Sequence, residues 1–174
     1  MSQKRAAVLV VNPSRAEAVE AASVLAVLLL KADFDLFTIS DVAISGVTNS
    51  AAENLPAVEI AVVLGGDGTI LRGAELTRER NIPLLGINIG HVGFMAEVIR
   101  PEITAVAKSV IDKSYGLDSR MVLAYEVIRN GEVIDTGWAL NEVTVERQHT
   151  TMVELFVQID GRPLSRWGCD GLIA

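Results

Sequence analysis

Apolar residues fall into two rhythms along this chain, and the rhythm changes once. Over the first two thirds, short unbroken apolar runs alternate with longer stretches of helical spacing. Residues 6–11 are apolar without interruption, the pattern of a strand covered on both faces. Asn12-Pro13-Ser14 then turns the chain into a helix over about 16–31. Residues 36–39 predict a short second strand, and 45–56 are weakly patterned, with room for a short helix. Residues 58–64 form the third strand, and helical spacing follows over 69–79. Asn81-Ile82-Pro83 breaks that helix, and a further strand runs over 83–87. Pro101 suits a first helical position, and 103–111 carry helical spacing again. Strand and helix in alternation predict a doubly wound α/β layer with a parallel sheet.

Near Ser119 the period becomes two. Residues 121–129, 133–146 and 152–159 alternate apolar with polar positions. The first run ends in Asn130-Gly131 and the third in Asp160-Gly161, both strong hairpin signals. Residues 164–167 and 172–174 read as further strand. The last third therefore predicts an antiparallel β meander without helix. The expected division is an α/β domain over 1–118 and an incomplete β-rich domain over 119–174. Gly171-Leu172-Ile173-Ala174 begins an apolar strand with no turn behind it. A few strands with an open edge make a weak independent unit, so the chain is expected to be a fragment or to need a partner there.

Composition narrows the function classes. Half of the 174 residues are hydrophobic, which fits a globular chain. A net charge of −7 argues against a general binder of nucleic-acid backbone. No apolar stretch approaches membrane-spanning length, and the run after Arg5 is too short for a secretory signal. A cytoplasmic protein is expected. Cys169 is the only cysteine, so no internal disulfide is expected.

The candidate chemistry sits at the end of the third strand, in Gly65, Gly66, Asp67, Gly68 and Thr69. A strand stops, the backbone passes three glycines and one carboxylate, and a helix begins. Backbone N–H groups and the positive end of the helix dipole suit phosphate there. An acid beside phosphate is repulsive and needs a use, such as binding magnesium or taking a proton from a nucleophile. A plain helix-start carboxylate is the alternative. A second glycine-rich turn, Gly86-Ile87-Asn88-Ile89-Gly90-His91-Val92-Gly93-Phe94, follows the next strand. In a parallel sheet both turns share the edge where ligands bind. Lysine is absent from both, so a phosphate ligand would depend on backbone N–H groups, arginine and metal. There is no Gly-x4-Gly-Lys-Ser/Thr, and Leu71 stands where the dinucleotide fingerprint wants its third glycine.

The run from Leu64 to Arg72 resembles the signature of the NAD kinase family. Leu85 to Phe94 is similar to that family's second block, Leu140-Asn141-Glu142-Val143 to its third, and Cys169-Asp170-Gly171-Leu172-Ile173 to the start of its fourth. The resemblance implies an α/β domain followed by part of an all-β domain, with NAD between them and homo-oligomers formed through the β part of the full-length protein. It implies transfer of a phosphoryl group from ATP, or from polyphosphate in some members, to the 2′-hydroxyl of the adenosine ribose of NAD. The product is NADP, and a divalent metal, magnesium, takes part. Asp67 matches the family's proton acceptor, and Gly66, Asp67, Gly68 and Thr69 its phosphate cradle. Arg72 lies near the same mouth, with a solvent-facing helix arginine as the equal alternative.

Asn141 and Glu142 match the pair that holds the adenine-side ribose and amide groups of NAD. Set within a strand, they would face opposite ways unless the strand bulges. Asp170 matches an acid near the nicotinamide end. Gly168 stands where other members carry arginine, which is expected to favour oxidised NAD. The family's Thr-Pro-Thr-Gly-Ser-Thr block, which would follow, is not in this chain. His91 reads as a loop residue without a proton role, and His149 is open. The Gly-Gly-Asp-Gly run is shared with lipid kinases of the diacylglycerol or sphingoid type, which are the enzyme alternative. A nucleotide-binding fragment without catalysis is the alternative of another class.

Overall fold

The computed structural model describes residues 4–89, 98–99, 102–148 and 150–174. They divide into two compact units at Leu117/Asp118. The first unit runs β1 (Ala6–Val11), α1 (Ala16–Lys31), β2 (Asp35–Thr38), β3 (Thr48–Asn49), β4 (Ile60–Gly65), α2 (Asp67–Arg78), β5 (Leu84–Asn88), β6 (Val98–Ile99) and α3 (Ile103–Asp112). Among the described residues its strands form one sheet in the order β3-β2-β1-β4-β5-β6, every neighbouring pair parallel.

The unbroken apolar runs follow from this arrangement. Leu9, Val11, Val62 and Leu64 pack on one face against Ala18, Ala22, Leu25 and Leu29 of α1 and Val106 and Val110 of α3. Val8, Val10, Ala61 and Val63 pack on the other face with Ile70 and Leu76 of α2. Both faces of β1 and β4 are thus covered, so every position must be apolar. A Cβ at Gly73 would lie 2.5 Å from Val63 Cγ2 and 2.9 Å from Leu84 Cδ1. The glycine that lets this helix lie close on the sheet is therefore at 73, rather than at 71 where a dinucleotide fingerprint would have it.

Residues 45–56 form no regular helix. They hold the two-residue β3 and a single 3-10 turn at Ala52–Asn54. None of that turn's residues is buried, so nothing apolar holds a longer helix to the sheet.

Arg5 ties the amino-terminal edge of the sheet together. Its Nε donates to both carboxylate oxygens of Glu59, at 3.1 and 3.0 Å. Its Nη1 and Nη2 donate to the carbonyls of Ile111 (2.6 Å) and Val110 (2.8 Å) in the last turn of α3. Its guanidinium stacks on Phe34 at 4.3 Å from the ring centre. Hydrogen bonds from Arg5 hold the Glu59 carboxyl below its ordinary value of 4.5, against the opposing pull of partial burial. A carboxyl with a depressed pKa stabilises the fold above its unfolded value and loses that contribution as pH falls through the folded one. Glu59→Gln is therefore expected to lower neutral-pH stability by roughly 1–2 kcal/mol. It should also flatten the acid limb below about 4.5. Denaturant titrations at several pH values check both effects, and an unchanged acid limb refutes the assignment.

The second unit contains β7 (Leu123–Arg129), β8 (Glu132–Ala139), β9 (Thr144–Glu146), β10 (Val153–Ile159), β11 (Arg162–Cys169) and β12 (Gly171–Ile173). Both expected hairpins form, β7 with β8 and β10 with β11. Their turns are left-handed at both centres: Asn130 and Gly131 at φ 54° and 83°, Asp160 and Gly161 at 50° and 74°. The connectivity is not a simple meander. β9 skips its neighbour and pairs antiparallel with β12, enclosing the second hairpin. Gly171 permits this approach, since a Cβ there would sit 2.5 Å from the Val145 carbonyl oxygen. The strand expected over 133–146 is also two strands, broken at 140–143. None of this unit's described residues is fully buried. Phe156 and Trp167 remain 55% and 45% exposed, so the hairpins form without a core of their own.

Among the described residues, no helix is long and apolar enough to cross a membrane.

Candidate active site

The strand order reverses direction between β1 and β4, so a crevice opens there at the carboxyl edge of the sheet. Three strand ends meet at this edge. The Asn12 N–H donates to the Leu64 carbonyl at 3.0 Å, and the Ile89 N–H to the Gly65 carbonyl at 3.4 Å. The ends of β4 and β5 lie side by side, with Gly65 opposite Asn88. Of the second glycine-rich turn, Gly86 to Ile89 stand at this edge; Gly90, His91, Val92, Gly93 and Phe94 lie outside the described residues, as does Pro101.

The turn at Gly66 needs room, not unusual torsions. Gly66 caps α2 in extended conformation, φ −101° and ψ −171°, and supplies no side-chain bond to the helix start. A Cβ at Gly65 would strike Thr69, 2.4 Å from Oγ1. Among the described residues, a Cβ at Gly66 would meet only Arg15, 3.9 Å away, and one at Gly68 would meet nothing within 4 Å. Glycine in a helix is less favourable than alanine by up to ~1 kcal/mol, and none of the described residues fills the space at 68. Gly66 and Gly68 thus leave open space at the start of α2 among the described residues.

Asp67 is the first residue of α2 and half-buried, with its charge at the favourable end of the helix dipole. Thr69 is only 7% exposed, and its N–H donates to the Gly66 carbonyl at 2.9 Å. Its hydroxyl lies against Gly65 and its N–H closes the first turn of α2. Arg72 is exposed and lies on the same face of α2 as Gly68, four residues before it.

Arg15, not among the residues expected at the site, stands beside this open turn, its Nη2 3.9 Å from a Cβ built at Gly66. Asn12 Oδ1 accepts the Ser14 N–H at 3.0 Å, and the Arg15 N–H bonds the Asn12 carbonyl at 3.3 Å. This tight turn places Arg15 at the start of α1, over the ends of β4 and β5. The signal was an arginine directly behind an Asn-Pro turn, in a chain whose glycine turns have no lysine.

The other candidates lie in the second unit. Asn141 and Glu142 are exposed in the link between β8 and β9, outside any strand. Strand alternation therefore does not force them onto opposite faces. Asp170 sits between β11 and β12. Its carboxylate pairs with Arg147 at 3.1 Å, and its carbonyl accepts the Arg147 N–H at 3.0 Å. Arg147 also donates to the Thr150 carbonyl at 2.7 Å, so Asp170 is held by a cation the sequence reading had not singled out. Gly168 is exposed in β11, where a Cβ would make only ordinary contact with Met152 at 3.5 Å. His149 lies outside the described residues.

Among the described residues, no group of three or more His, Cys, Asp or Glu is arranged to hold a metal ion. A protein-built metal cage does not fit this donor set. A divalent ion here would arrive on phosphate oxygens and keep much of its water, as magnesium does.

Residues 46–115 match the family model of the ATP-NAD kinase N-terminal domain. The chain is 43% identical over 120 residues to NAD kinase 2 of Streptomyces coelicolor, a match covering 68% of this chain and 40% of that relative. It is 50% identical over 125 residues to the NAD kinase of Leifsonia xyli subsp. xyli, covering 70% of this chain and 41% of that relative. The chain thus spans about two fifths of the length of these curated relatives. A crystal structure of yeast NADH kinase complexed with NADH superimposes with a TM-score of 0.80 at 19% identity, over 99% of this chain and 57% of that one. That likeness concerns the fold, an α/β sheet followed by antiparallel β strands. By sequence, the α/β unit of this chain belongs to the NAD kinase family as its N-terminal domain.

Proposed function

We propose that the protein is an NAD kinase, and that the concavity over Gly66 and Gly68 receives the donor's phosphates. The observation that carries the reading is the room kept by these two glycines at the start of α2, with Asp67 between them. The 2′-hydroxyl oxygen of the adenosine ribose of NAD attacks the terminal phosphorus of ATP or polyphosphate. The new O–P bond forms as the bond from that phosphorus to its bridging oxygen breaks, and ADP or the shortened polyphosphate leaves. The hydroxyl proton passes to the Asp67 carboxylate. A ribose hydroxyl is a weak nucleophile, so such a positioned base contributes ~10²–10⁴-fold. The rest of phosphoryl transfer depends on positioning and charge neutralisation. Magnesium, carried on the donor, supplies part of that neutralisation.

In the second unit, Asn141 and Glu142 hold the adenine-side ribose and amide groups of NAD. Asp170, fixed by Arg147, and Gly168 lie toward its nicotinamide end. The working partners are small-molecule nucleotides, with neither nucleic acid nor membrane. The setting is the cytoplasm, and the full-length protein forms homo-oligomers.

The test is incubation of the protein with NAD, magnesium and either ATP or polyphosphate, with NADP measured directly and the Streptomyces coelicolor relative run alongside. NADP formation, or saturable ATP binding at the first unit, is the expected result. Absence of both, with the relative active, overturns the reading.

A further inference from the structure

The net charge of the site is the unexplained part of the reading just given. A donor polyphosphate brings several negative charges to a turn that already holds Asp67. Neither glycine turn carries a lysine, and Arg72 stands a turn down α2 on an exposed face. A further cation beside Gly66 would favour phosphate there.

Arg15 is placed for this. Its backbone is fixed by the turn at Asn12 and by α1, whose first N–H groups return to the Arg15 carbonyl, from Ala18 at 3.0 Å and Val19 at 3.2 Å. Its half-buried side chain crosses from the end of β1 over the end of β4 to the end of β5. There Nη1 donates to the Ile89 carbonyl at 2.7 Å. That bond anchors one arm of the guanidinium. The other arm, Nη2, is the atom met by a Cβ built at Gly66, 3.9 Å away. Among the described residues the Ile89 carbonyl is the guanidinium's one hydrogen-bond partner, and no carboxylate pairs with it. A cation held by one arm, with the second arm over an open glycine, is poised for an oxyanion.

We infer that Arg15 is a positioning residue for the donor: its Nη2 arm holds the terminal phosphates over Gly66 and offsets the repulsion of Asp67. The inference rests on the proposed phosphate site and adds a residue to it. The competing account is that Arg15 only staples three loops through the Ile89 carbonyl. A staple would serve every ligand of the site alike, whereas a phosphate arm discriminates by the number of phosphates.

The experiment measures binding of inorganic tripolyphosphate and of AMP by calorimetry, with magnesium present, to the parent protein, Arg15→Gln and Arg15→Lys. Melting temperatures are recorded in parallel. Tripolyphosphate affinity is expected to fall about tenfold or more in Arg15→Gln and to recover in part in Arg15→Lys, with AMP affinity unchanged. Equal losses for both ligands, following a drop in melting temperature, would show a staple and overturn the inference. Unchanged tripolyphosphate binding in Arg15→Gln, with the parent binding normally, would reject Arg15 while leaving the phosphate site standing. Failure of the parent itself to bind tripolyphosphate would reject the site and the inference together.

Discussion

Asp67→Asn is expected to reduce NADP formation by at least ~10²-fold, the lower bound for loss of a positioned general base. The shape of the side chain is kept, and asparagine is well suited to a helix start, so the melting temperature should move little. Loss of the charge–dipole interaction accounts for ~0.3–1 kcal/mol of any change. The effect on the donor separates this role from a binding role. A carboxylate beside polyphosphate is repulsive, so its removal should leave ATP affinity the same or higher while turnover collapses. A residue whose main task is to hold the donor, directly or through a metal, would show the opposite, with affinity and turnover lost together. Single-turnover rates and ATP titrations on the same preparation distinguish the two. Near-parental NADP formation would remove Asp67 as the base.

The α/β unit was largely legible because both faces of its sheet are covered. Strands such as 6–11 and 60–65 must then be apolar at every position, and helix α1 shows its period over four turns. The two hairpins were legible for a local reason, since Asn130-Gly131 and Asp160-Gly161 supply two successive left-handed residues. What the sequence hid is non-local. The pairing of β9 with β12 depends on Gly171 fitting under the Val145 carbonyl, and no periodicity records such a contact. The break at 140–143 between β8 and β9 leaves no glycine, proline or hairpin dipeptide to mark it in the sequence. At the site, the motif pointed to the turn and to Asp67. It did not show that Thr69 folds inward or that Arg15, fifty-odd residues earlier in the chain, stands over Gly66.

The glycines of the turn should separate by opposite responses to one added methyl group. In Gly65→Ala the new Cβ falls 2.4 Å from Thr69 Oγ1 and 2.7 Å from Thr69 Cβ. Thr69 is buried in the first turn of α2, so either the helix start or the end of β4 must shift. Overpacking of this kind costs ~1–3 kcal/mol. In Gly68→Ala the methyl group meets none of the described residues within 4 Å, and its backbone is already helical. Alanine is the better helix former by up to ~1 kcal/mol, so stability should rise and the melting temperature with it. That same methyl group fills part of the space proposed for phosphate. ATP affinity is expected to drop by about tenfold, equivalent to ~1.4 kcal/mol, in a protein more stable than its parent. A stabilising substitution that weakens binding would mark Gly68 as a position kept for the ligand. If Gly68→Ala raises stability and binds ATP as the parent does, the phosphates lie elsewhere, and the concavity at the start of α2 is only an open turn.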